Sequence, residues 1–128
     1  MKRLTREWVE KAEGDLQTAQ REIRARKSPN YDSACFHAQQ CVEKYLKARL
    51  QEAGIHFPHT HDLVSLLGLA LALQPLWAGL RDSAKILTQH AVKARYPGSW
   101  VTRAQARDAV VRCQEIRVMV RQSLGLRE

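Results

Sequence analysis

The chain has 128 residues, a mass of 14.6 kDa, and 21 Lys plus Arg against 13 Asp plus Glu, giving a formal charge of +8. That length supports one hydrophobic core in a single domain, residues 1–128, and 45% apolar against 27% charged residues excludes a disordered polyelectrolyte. The longest apolar-leaning stretch, Leu63 to Leu80, is broken by Gln74 and Pro75 and is short of the ~20 residues of a membrane span. No apolar segment follows the basic residues at the N-terminus, so a cytoplasmic location is expected.

Sustained two-residue alternation is missing and helical periodicity recurs, so the chain reads as all-α, an up-and-down helical bundle of four to five helices. Thr5 reads as the cap of a first helix with Trp8, Ala12, Leu16, Ala19 and Ile23 on one face, ending before Ser28-Pro29-Asn30. A second helix is predicted from Tyr31 to Ala53, with Ala34, Cys35, Ala38, Cys41, Val42, Tyr45, Leu46 and Leu50 inward and Glu43 and Lys47 as an outward pair. Gly54 should stop it in the left-handed region. Thr60 is the expected cap of a third helix, with Asp62 in its first turn and Leu63, Leu66, Leu67, Ala70 and Leu73 buried. Pro75 suits the first turn of a fourth helix, whose inward positions are Leu76, Leu80, Ala84, Leu87 and Ala91. After the Pro97-Gly98 turn, Thr102 and Gln105 form a capping box for a last helix through Ala106, Val110, Cys113, Ile116, Val120 and Leu124, ended by Gly125.

Cys35, Cys41 and Cys113 fall at apolar helical positions with no C-x-x-C pair, so they read as small core residues. The basic excess is mostly arginine, 14 against 7 lysines, which suits bidentate contact with phosphate or carboxylate. Residues 81–103 carry Arg81, Lys85, Lys93, Arg95 and Arg103 against the single acid Asp82. His37, Gln40, Lys44 and Lys47 form a stripe along the second helix. Together with His61 and Asp62 at the start of the third helix and the Arg95-Tyr96 turn, they make a candidate nucleotide or phosphate site. There Lys44 and Arg95 would hold phosphate, Tyr96 would stack on a base or donate its hydroxyl, and His61 would hydrogen-bond the ligand. The plainer reading pairs Lys44 with Glu43 or Asp62, packs Tyr96 on the helix ends and leaves His61 capping the third helix.

His56, His59 and His61 match no metal-ligand spacing and read as a polar loop, so no metal and no cofactor is expected. His37 or His61 acting as base, with Arg95 stabilising a pentavalent phosphate, is a further possibility that geometry decides. Trp8 reads as core, and Trp100, in the turn after Gly98-Ser99, as a lid packed over the bundle end or, if exposed, as a partner surface. On the last helix Arg103 with Arg107, and Arg117 with Arg121, are like-charge pairs four residues apart, unfavourable unless an anion or a partner carboxylate compensates them, and a solvated face is the commoner reading of such arginines.

Three ordered blocks carry a resemblance over nearly the whole chain. They are Phe36-His37-Ala38-Gln39-Gln40-Cys41-Val42-Glu43-Lys44-Tyr45-Leu46-Lys47-Ala48, then Thr60-His61-Asp62-Leu63, then Ala94-Arg95-Tyr96-Pro97. This pattern resembles the HEPN domain (higher eukaryotes and prokaryotes nucleotide-binding). The resemblance implies a bundle that commonly forms a homodimer, binds nucleotide or RNA phosphate, and is often encoded beside a minimal nucleotidyltransferase in a toxin-antitoxin-like pair. Many such proteins are metal-independent ribonucleases with Arg, four to six residues, then His before a late helix. Here eight residues separate Arg81 from His90, no His follows Arg95 before the last helix, and Arg49 and His56, with six residues between them, straddle the end of the second helix. The expectation is therefore a non-catalytic binding module. The alternatives are a toxin ribonuclease with a non-standard site, or a structural subunit completing a partner's substrate cleft.

Overall fold

A computed structural model describes residues 1–127 and contains five α-helices, with no strand among the described residues. They are α1 (Arg3–Arg24), α2 (Tyr31–Ala53), α3 (Leu63–Ala70), α4 (Arg81–Arg95) and α5 (Arg103–Ser123), with a short 3-10 helix, Pro75–Leu80, leading into α4. The central helix is α2, which packs against all four others and buries every apolar position assigned to it. Lys2 meets Glu52 and Asn30 meets Glu22, so α1 runs antiparallel to α2. Asp32 holds Val101 and Arg49 holds Ser123, so α5 runs parallel to α2 on its other side. Ser83 with Arg112, and His90 with Asp108, set α4 antiparallel to α5. One core joins these faces, with Tyr45, Leu46, Leu50, Leu66, Leu87 and Ile116 among its largest buried side chains.

Gly54 ends α2 with φ 71°, and Gly125 follows α5 with φ 73°. The Thr102–Gln105 capping box forms with both of its bonds. All three cysteines are free and buried, and burial pushes the Cys35 thiol up to about 12.

Several expectations are corrected. Thr5 does not cap α1: the helix begins at Arg3, and Thr5 is buried with its hydroxyl donating to Glu52 at 3.0 Å, because the end of α2 supplies a closer acceptor. Trp8 is half-buried, with its ring edge-on to Phe57 at 6.2 Å, and Val9 takes the inward position. Glu43 and Lys47 do pair at 3.0 Å, but they lie inside, because Trp8 and His61 cover them. Asp62, not Thr60, caps α3 through the Val64 amide, while the Thr60 hydroxyl accepts from the Asp62 amide. The Ser65 hydroxyl donates to the same carboxylate and holds Asp62 below its ordinary range. Pro75 opens a 3-10 helix rather than an α-helix. With about three residues per turn the inward position moves by one, so Trp77 is buried and Leu76 is 89% exposed. Trp100 is no lid, being 78% exposed.

Candidate functional site

The predicted site residues separate into two carboxylate-centred clusters and one open corner. Asp15 lies on the inward face of α1 beside Leu16, almost fully buried, and accepts both His37 Nδ1 at 2.7 Å and Lys44 Nζ at 2.5 Å. On α2, beside Lys44 in the chain, buried Glu43 accepts Lys47 Nζ at 3.0 Å and His61 Nδ1 at 2.9 Å. Each carboxylate thus joins a lysine and an imidazole. Gln39, also buried, fixes the α3 approach by donating to the His61 carbonyl at 2.9 Å, and Gln40 donates to Gln39. Asp62 is occupied at the α3 cap. His56 and His59 are exposed, and among the described residues no group of three or more His, Cys, Asp or Glu gathers as metal ligands.

Arg95 and Tyr96 lie elsewhere, at the end of α4 beside the start of α2. The Arg95 guanidinium sits over the Phe36 ring, 5.7 Å from its centroid, and has no ion-pair partner among the described residues. Arg95, Phe36, Ser33 and Trp100 line an open recess of about 370 Å³, and neighbouring Tyr96 is 63% exposed. A guanidinium held by an aromatic face keeps its donor edges available to an oxyanion, and an exposed indole across a recess offers a stacking surface.

Lys44, His61 and Arg95 therefore do not meet in one recess. Along α2 the eight-residue step from Phe36 to Lys44 alone is roughly 12 Å at 1.5 Å per residue. The sequence reading missed Phe36 beneath Arg95, Trp100 opposite it, and the carboxylate Asp15 that holds Lys44; it paired Glu43 with Lys47 but put the pair on the outside. A signal for Asp15 existed: it adjoins Leu16 and stands three residues after Ala12, so the apolar stripe carries it inward.

The two like-charge arginine pairs of α5 also part company. Arg117 donates twice to Glu13, at 2.8 and 2.7 Å, and Arg121 reaches Tyr45 Oη at 3.0 Å, whose hydroxyl donates to Glu13 at 2.7 Å. The Arg117 bonds hold the Glu13 carboxyl below its ordinary range. Arg103 and Arg107 are exposed and form no ion pair among the described residues.

A family model described as HEPN domain matches residues 5–123. The crystal structure of TT1696 from Thermus thermophilus is 28% identical, with a TM-score of 0.75 over 92% of this chain and 96% of that one. The crystal structure of ST0689, an archaeal HEPN homologue, is 27% identical, with a TM-score of 0.73 over 96% of this chain and 98% of that one. No curated protein matches. With the family model covering nearly every helix and two solved structures sharing the bundle, the chain belongs to the HEPN domain family.

Proposed function

We propose that this protein is a non-catalytic binding module for the phosphate of a nucleotide or nucleic acid. The observation that carries this reading is the Arg95 corner, where an unpaired guanidinium on Phe36 and the exposed Trp100 indole line one recess. Arg95 takes the phosphate, Trp100 or Tyr96 stacks on the base, and Ser33 adds a hydroxyl. His37, Gln40 and Lys44 lie on the partly exposed stripe of α2 that leads away from this corner; Asp15 engages His37 and Lys44, which steady α1 against α2, and Gln40 extends the contacts with the ligand. Lys47, His61 and Asp62 hold α3 and the loop before it against α2. The homodimer, the minimal nucleotidyltransferase partner and the toxin-antitoxin-like setting rest on the family resemblance. No helix among the described residues is long and apolar enough to cross a membrane.

Titration with adenosine 5′-monophosphate, followed by tryptophan fluorescence, tests the binding. Saturable quenching that is lost in Trp100→Phe, with affinity at least tenfold weaker in Arg95→Gln, is expected. Binding unchanged in both variants refutes the site.

One observation favours a second reading, metal-independent RNA cleavage: Asp15 orients the His37 imidazole through Nδ1 and leaves Nε2 free, with Lys44 beside it. Incubating labelled RNA with the protein, with and without chelator, and comparing His37→Ala, His61→Ala and Arg95→Ala separates the two. Chelator-resistant cleavage that these variants abolish establishes the nuclease and removes the non-catalytic module.

A further inference from the structure

The end of the bundle beyond Trp100 carries a second recess, of about 520 Å³, between the segment that leaves α1 and the start of α5. Arg24, Arg26, Arg103 and Arg107 line it with Tyr31, and no acidic side chain does. All four guanidiniums are exposed, and none forms an ion pair among the described residues. A third recess, of about 260 Å³, shares Pro29 and Tyr31 with this one, and Asn30, Asp32 and Trp100 with the Arg95 recess. The three hollows thus form a run around the α1–α2 loop, with arginines at both ends and aromatic rings between them. The carboxylates nearby are engaged with backbone: Asp32 accepts the Val101 amide at 2.9 Å and Glu22 the Asn30 amide at 3.4 Å.

The charge placement has no internal explanation. Arg24 complements the negative C-terminal end of α1. Arg103 and Arg107 do the opposite, lying in the first turns of α5, whose positive end carries no acid in its first turn. They also repel each other across one helical turn. The comparable pair Arg117 and Arg121 is served by Glu13 and Tyr45, so this helix compensates such a pair where structure alone requires it. These two cations, held against both their neighbour and the helix dipole and open to water, have no counter-charge among the described residues.

We infer that this run of recesses is a track for the backbone of a single-stranded nucleic acid, entering at Arg95 and Trp100 and continuing to the arginine quartet. The ligand is then a polynucleotide whose successive phosphates occupy both ends, rather than a lone nucleotide. This rests on the Arg95 reading above and extends it to a second set of residues. Between the cationic stations lie the exposed Trp100 indole and the half-buried Tyr31 ring, which suit unpaired bases that stack with little regard to sequence.

The test compares adenosine 5′-monophosphate with fluorescein-labelled dodecamers of adenosine and of deoxyadenosine, which share phosphate chemistry and differ in the 2′-hydroxyl. Either dodecamer should bind the wild type more tightly than the mononucleotide. Arg103→Gln with Arg107→Gln removes two phosphate contacts, so dodecamer affinity should fall roughly 25-fold at about 0.1 M salt and the salt slope by about 1.4, at ~0.7 per contact. Mononucleotide affinity should not change. Arg24→Gln with Arg26→Gln, on a different element, should reproduce the loss, which guards against a folding defect in α5. Removing the equally exposed Arg3 and Arg6, roughly 32 and 27 Å from Arg24 along α1, is the control for unspecific attraction. A dodecamer no tighter than the mononucleotide, or an equal loss in the Arg3 and Arg6 variant, overturns the track. Failure of the mononucleotide to quench Trp100 instead overturns the Arg95 site, so the two failures are distinct.

Discussion

Replacing Glu13 by Gln isolates the device that ties α1, α2 and α5 together. In the wild type one carboxylate receives two bonds from Arg117 and one from the Tyr45 hydroxyl, with Arg121 3.8 Å away. Glutamine keeps the shape but turns an amide group toward guanidinium donors and removes the charge. Hydrogen bonds to charged partners contribute about 1.5–3 kcal/mol each when sequestered. The Glu13 side chain is 30% exposed and Arg117 18%, so water screens part of this. A combined loss of about 2–3 kcal/mol is expected. With an unfolding entropy of about 2.1 cal/mol/K per residue, a chain of 128 residues loses roughly 0.27 kcal/mol per kelvin, so Tm should drop by roughly 7–11 °C near neutral pH. The pH dependence carries a sign. Because the folded-state pKa of Glu13 is lowered, its contribution is full above the ordinary carboxylate range and is lost as pH falls through the folded value. The Tm gap between wild type and variant, followed by circular dichroism from neutral to acidic buffer, should therefore shrink on acidification. A gap that is absent at neutral pH, or that stays constant into acid, refutes the clamp.

Glu43→Ala should be among the costliest single changes, about 3–5 kcal/mol, because it leaves Lys47 buried without its partner; the joint change Glu43→Leu with Lys47→Met should recover most of that in chemical denaturation. Thr102→Ala removes one half of the capping box and should cost about 1 kcal/mol, read as a lower denaturation midpoint with unchanged m-value. Native protein should resist thiol-specific reagents at neutral pH, since Cys35 is raised to about 12 by burial and Cys41 is raised by its bond to Cys113 and by burial; labelling at the rate of a free thiol would contradict the packing.

The helices of this bundle were legible wherever a local signal and a packed face agreed. The span of α2 and the capping box of α5 follow from apolar spacing and from Thr102 and Gln105, which need no tertiary information. Reading failed where a polar side chain had two suitors. Thr5 could bond its own helix or Glu52 across the bundle, and burial decided for Glu52. Glu43 and Lys47 satisfy the rule for a solvated pair, and only the placement of Trp8 and His61 over them makes the pair internal. The proposed site suffered from the same ambiguity. A stripe of His37, Lys44 and Lys47 looks identical in sequence whether it faces a ligand or the carboxylates of α1 and α2. Arg95 keeps its availability because Phe36 lies beneath it and the acid of α2 that lines the same recess, Asp32, accepts the Val101 amide instead.

Where the acids lie turns a diffuse net charge of +8 into a local field. Asp15, Glu13 and Glu43 sit in the middle of the bundle and neutralise Lys44, Arg117 and Lys47 there. On the α4–α5 face, burial works to raise the Asp108 carboxyl, but its bonds from Arg112 and His90 outweigh that and hold it low. Those cations are committed to the fold. The corner formed by the α1–α2 loop, the end of α4 and the start of α5 is different: its arginines face water, and its acids serve backbone amides. Over a Debye length of roughly 10 Å such a corner acts on a phosphate chain as a unit, while the paired clusters on α2 largely cancel. This placement of charge separates the protein from a merely basic one. Salt should weaken binding through the corner arginines in steps of one phosphate each, and removing the α2 lysines should change stability more than affinity.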